Sequence, residues 1–126
     1  MEVCAICAIS NPANGKGKDV EFLVDTGSSR TIITPEIADE LELNTIREEE
    51  ARIADRSKIK VKLAVASVGF EDRETLDIIG VFNVPRPILG LSTTELLGLY
   101  PDTVEGRLKK REFYSFILYL KKTKAR

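Results

Sequence analysis

The residue best placed to do chemistry is an aspartate. Phe22-Leu23-Val24 runs straight into Asp25-Thr26-Gly27-Ser28-Ser29, so an apolar segment delivers one carboxylate into a glycine-bearing loop. The rest of the chain narrows what that carboxylate can work with. No histidine occurs among the 126 residues, which removes Ser-His-Asp triads, Cys-His pairs and every histidine-containing zinc site. Proton transfer at moderate pH then falls to carboxylates, lysine, tyrosine, cysteine or the N-terminal amine. Cys4 and Cys7 cannot build a disulfide framework, and one chain lacks the four thiolates of a structural zinc site. In an extended strand, positions i and i+3 face opposite ways, so Cys4-x-x-Cys7 reads as two buried structural thiols. No metal and no cofactor is expected.

The elements that must hold Asp25 follow from patterning. Val3 to Ile9 is apolar on both faces, which suits a strand covered on both sides. The turn cluster Asn11 to Gly17 separates it from a second strand, Val20 to Val24, so the chain opens as a hairpin. Thr34-Pro35-Glu36 is a helix start with Thr as N-cap and Pro at the first helical position, and the helix should reach about Leu41. Ile59, Val61, Leu63 and Val65 alternate with smaller or charged residues, a period-two strand. Leu76 to Phe82 is another strand, broken by Pro85-Arg86-Pro87. Ser92-Thr93-Thr94-Glu95 is a capping-box pattern with Ser92 at N-cap, and Gly98 should end that helix. Phe113 to Leu120 is predicted as a final strand. The expected fold is mainly β with two short helices, in one domain over 1–126, the size a single core supports.

Two segments together resemble the retropepsin-like aspartic proteases. One is Asp25-Thr26-Gly27 after its apolar strand; the other is Ile88-Leu89-Gly90, beginning 63 residues later and followed by a helix start. Residues 51–55 and 96–99 are similar to cellular bacterial and archaeal members rather than viral ones. The resemblance covers roughly residues 3–120 and implies a closed β-barrel of the acid-protease type, one lobe per subunit. With a single Asp-Thr-Gly per chain, it implies a homodimer acting on a peptide or protein substrate. Two Asp25 carboxylates, about 3 Å apart across the axis, share one proton, so one is ready as base and the other as acid. By resemblance, the Thr26 hydroxyl bonds across the axis, Gly27 offers an N–H to the carboxylate, and Ser28 donates to its outer oxygen. Ile88 and Leu89 pack beneath the loop, and Gly90 permits a close crossing there.

The same resemblance places a flap, the hairpin that covers substrate, at residues 53–59, with Ala54, Asp55, Arg56 and Ser57 at or near its tip. Nineteen basic against twenty acidic residues, net −1, argue against chain-wide nucleic-acid binding. The acidic run between Glu36 and Glu50 and the basic run from Arg107 to Arg126 read as solvated faces. No apolar run reaches about 18 residues and no leader pattern opens the chain, so the expectation is a cytoplasmic protein without membrane contact. Large apolar residues on both faces of Phe113 to Leu120 suit an interface. The dimer sheet would use Val3 to Ile9, Phe113 to Leu120, or both. The alternative to an endopeptidase is a dimeric peptide-binding module on the same fold with little or no hydrolysis.

Overall fold

Alternation between buried and exposed residues shapes the first hairpin. In the computed structural model, which describes residues 2–112, β1 (Cys4–Ser10) buries Ala5, Cys7 and Ile9 and exposes Ile6, 62% of whose surface meets solvent. The strand is therefore covered on one face by the described residues, where its composition suggested two. β2 (Gly17–Val24) pairs antiparallel with it in continuous register, from Cys4 opposite Leu23 to Ser10 opposite Gly17. The connecting turn carries Asn11, whose side-chain NH2 donates to the carbonyls of Leu41 and Glu42 at 3.0 Å each. It thereby satisfies the open end of α1 (Pro35–Glu40). That helix starts as its sequence dictates: the Thr34 side chain accepts from Ile37 N, and Pro35 fills the first helical position.

The remaining strands are β3 (Ile32–Ile33), β4 (Arg47–Arg52), β5 (Lys58–Phe70), β6 (Arg73–Val81) and β7 (Ile88–Leu89). The main sheet runs β1-β2-β7-β3-β6-β5-β4. β5 is long enough to serve three neighbours. One edge pairs with β6, and the other takes β4 along its first half and β1 at Ser67–Gly69. The β1–β5 pairing joins six strands in a circuit, leaving β4 on its flank. The mainly β expectation holds. Phe22, Ile9, Ile33, Val68, Ile79 and Leu89 are fully buried inside the circuit, and truncating a residue such as Phe22 to alanine would cost about 3–5 kcal/mol.

Two expectations are corrected. α2 (Leu91–Leu97) starts one residue after Gly90, not at a Ser92 cap, and has no side-chain cap bond. Ser92 Oγ donates to Asp77 Oδ2 instead, so a tertiary partner outcompetes the local one. The helix ends where expected, with Gly98 in the left-handed conformation at φ 66°. Beyond it lies a separate hairpin, β8 (Leu99–Asp102) and β9 (Arg107–Lys110), in a stretch whose sequence reads as loop. Asp102 Oδ1 accepts from Val104 N and Glu105 N, and Gly106 closes the turn at φ 72°. The predicted strand at Phe113 to Leu120 lies outside the described residues. Among those described, no helix is long and apolar enough to cross a membrane.

Candidate active site

The Asp25 loop is built by two parallel strand pairings. β2 lies beside β7, with Leu23 opposite Ile88 and Val24 opposite Leu89. β3, which follows the loop, lies beside β6 with Ile32 opposite Gly80. The chain must therefore turn out of one strand pair and into the other, and the segment that does so is Asp25 to Thr31. Asp25 N donates to Leu89 O at 3.0 Å. Further along, Leu91 N donates to Ser28 O at 2.8 Å and Ser92 N to Ser29 O at 3.1 Å. The Ile88-Leu89-Gly90 segment thus lies against the loop.

Gly90 is required by space. A Cβ there would sit 2.2 Å from Arg30 O and 2.3 Å from Arg30 C, closer than any side chain tolerates. Gly27 donates its N–H to Asp25 Oδ1 at 2.9 Å, which fixes the carboxylate against the loop. Asp25, Thr26 and Gly27 are exposed at the open end of the loop. Ser28 departs from expectation. Its hydroxyl donates to Arg30 O at 2.7 Å, and one hydroxyl has a single proton to give. It closes the loop on itself and does not donate to Asp25.

A cleft of about 590 Å³ joins this loop to the β4–β5 hairpin. Asp25, Gly27 and Ser28 lie on one wall, Ile53 and Ala54 on the other, with Ile88 and Phe82 adding apolar surface. Ala54 is the expected flap residue that lines the cleft; Asp55, Arg56 and Ser57 form the turn beyond it. That turn is tied by Asp55, which accepts from Ser57 N at 2.9 Å and Ser57 Oγ at 2.5 Å. These bonds hold the Asp55 carboxyl below its usual range. Arg56 takes the left-handed conformation at φ 69° that the turn demands.

The sequence gives no sign of the ion pair that crosses this cleft. Arg30 Nε and Nη2 donate to the two oxygens of Glu49 at 3.2 and 3.1 Å, a bidentate bridge between the Asp25 loop and β4. Hydrogen bonding from Arg30 holds the Glu49 carboxyl low, partial desolvation opposes this, and the charges of Arg30 and Arg47 add to it. Beneath the loop lie four residues that were not expected at the site: Thr31, Asp77, Ser92 and Thr93. Asp77 carried the one available signal, a carboxylate within the otherwise apolar run Leu76 to Phe82. The cysteines sit apart from the site. Only Cys7 is buried as expected, its thiol pushed up to about 12 by desolvation; Cys4 is half-buried because its Sγ turns to accept from Arg86 at 3.0 Å.

A mainly β lobe that sets Asp-Thr-Gly against Ile-Leu-Gly is a retropepsin-like aspartic-protease lobe. The sequence pattern of the family described as "gag-polyprotein putative aspartyl protease" matches residues 12–99, more than half of the chain, and the chain belongs to that family. Among solved structures, the fold is similar to that of the EIAV protease complexed with the inhibitor HBY-793. The match has a TM-score of 0.59 and 17% identity, and covers 78% of this chain and 89% of that one. No curated protein sequence matches significantly.

Proposed function

We propose that the chain is an aspartic endopeptidase that works as a cytoplasmic homodimer on peptide or protein substrates. The observation that carries this reading is the placement of Asp25: its backbone is fixed by Leu89, its carboxylate is held by Gly27, and it faces a cleft walled by a hairpin. One carboxylate is half of the required chemistry. A second copy related by a two-fold axis supplies the other half. Two facing carboxylates cannot both ionise, so the pair holds one proton. The ionised member takes a proton from water, which attacks the scissile carbonyl, and the protonated member then delivers a proton to the leaving nitrogen. The β4–β5 hairpin, with Ala54 to Ser57 at its end, acts as the flap that covers substrate and excludes water.

The test is Asp25→Asn. The substitution preserves size and the bond from Gly27 but removes both the base and the shared proton. Peptide hydrolysis at acidic pH should vanish, while the sedimentation coefficient stays that of the wild type. Undiminished hydrolysis by the Asp25→Asn protein would refute the reading. A wild type that binds peptides without cleaving them would instead favour the binding module.

A further inference from the structure

One peptide unit, Leu89–Gly90, touches the active loop on both sides. Its carbonyl accepts from Asp25 N at 3.0 Å, and its N–H donates to Thr31 Oγ1 at 3.0 Å. From Thr31 a chain of short contacts leads away from the cleft. Thr31 Oγ1 lies 2.6 Å from Thr93 Oγ1, and Thr93 Oγ1 lies 2.8 Å from Asp77 Oδ2. Asp77 Oδ2 also accepts from Ser92 Oγ at 2.8 Å, and Asp77 Oδ1 accepts from Ile78 N at 2.7 Å. Thr31 and Thr93 have no solvent exposure, so water does not compete for these bonds.

The proton order along this chain is determined by its ends. Gly90 N–H can only donate, and an ionised Asp77 can only accept. Thr93 therefore gives its proton to Asp77, and Thr31 gives its proton to Thr93 while accepting from Gly90. Every bond points toward the carboxylate, and aligned bonds of this kind reinforce one another.

We propose that Asp77, Thr93 and Thr31 form a one-way hydrogen-bond relay that orients the Leu89–Gly90 peptide and thereby positions Asp25 for catalysis. This inference rests on the endopeptidase reading for its consequence and on the bond geometry for its mechanism. These three are positioning residues, since none of them lines the cleft. If the relay breaks, the Leu89–Gly90 plane loses one of its two tethers, and the Asp25 backbone loses its fixed partner. A small displacement of a catalytic group lowers the rate of the chemical step more than it lowers binding.

Thr93→Val and Thr93→Ser separate this role from packing. Valine keeps the shape and deletes the hydroxyl; serine keeps the hydroxyl and deletes the methyl. The expected result for Thr93→Val is a fall in kcat of about tenfold to a hundredfold with KM within about threefold of wild type. Thr93→Ser should recover most of the loss. Amide hydrogen exchange gives a readout independent of hydrolysis: Gly90 N–H should exchange faster in Thr93→Val and stay protected in Thr93→Ser. Equal impairment in both variants, or a Thr93→Val protein matching wild type in kcat and Gly90 exchange, would overturn the relay. If the wild type proves not to hydrolyse peptides, the endopeptidase reading falls, and the relay stands or falls on the exchange data alone. Should Thr93→Val not fold, Asp77→Asn replaces it. Its amide presents a donor where two hydroxyls donate, or else turns that donor on Ile78 N–H, so the same exchange and kcat changes are expected, and their absence overturns the proposal.

Discussion

The Asp25 carboxylate and the Asp25 backbone are both held by backbone groups. Gly27 N–H reaches Asp25 Oδ1, and Leu89 O anchors the Asp25 N–H. Ser28 contributes differently. Its proton is spent on Arg30 O at 2.7 Å, inside the turn. Ser28→Ala should therefore leave the acidic limb of the pH profile of kcat/KM where it is in the wild type. The substitution should lower thermal stability by a few degrees, since one net intramolecular hydrogen bond is worth about 1 kcal/mol. The comparison needs kcat/KM against pH and a melting curve for both proteins. An acidic limb displaced to higher pH in Ser28→Ala would show that the hydroxyl serves the charged carboxylate after all. Gly27 and Gly90 were legible because a motif marks where backbone must come close to another group, Asp25 Oδ1 in one case and Arg30 in the other. The proton on Ser28 was not, because two acceptors lay within its reach and only the folded loop chooses between them.

Among the elements, the β4–β5 hairpin is fixed to the Asp25 loop by the Arg30–Glu49 bridge, which spans the cleft between them. The folded state holds the Glu49 carboxyl below its ordinary value of 4.5. A depressed carboxyl contributes stability above its unfolded value, and that contribution is lost as pH falls through the folded one. Glu49→Gln keeps the shape and removes the charge. Wild type should melt higher than Glu49→Gln above about pH 4.5, with the difference closing below it and shrinking with added salt. Melts of both proteins from about pH 3 to 7 decide this; a difference that is constant across the range would reject the bridge as its source. β1, β2, β5 and β6 were readable because period-two or apolar patterning and turn residues are local, and α1 was readable from Thr34 and Pro35. The start of α2 was misplaced because Asp77, a residue of β6, takes the Ser92 hydroxyl. The β8–β9 hairpin was hidden by its four-residue strands and by Pro101 within one of them. Arg30 with Glu49, and Thr31 with Thr93, are pairs 19 and 62 residues apart, and patterning carries no signal for side chains that meet only after folding.

At the scale of the whole molecule, the chain brings one Asp-Thr-Gly loop, and the proposed chemistry needs two. β1 pairs with β2 throughout but with β5 only over Ala8–Ser10, so among the described residues no strand pairs with the second edge of Cys4–Cys7. Dimerisation has a consequence that concentration dependence alone would not reveal. If each active site takes one Asp25 from each copy, a single Asp25→Asn chain inactivates the dimer it enters. Wild-type and Asp25→Asn chains mixed in equal amounts and allowed to exchange subunits would then assort at random. About a quarter of the dimers would carry two aspartates, so activity should settle near about a quarter of that given by the same total amount of wild type. A site completed within one chain predicts about a half instead, because the wild-type chains would work regardless of their partners. The measurement is initial rate against mole fraction of Asp25→Asn at fixed total protein, after exchange has reached equilibrium. A quadratic fall supports the shared dyad; a straight line would place the whole of catalysis within a single chain and remove the two-fold site.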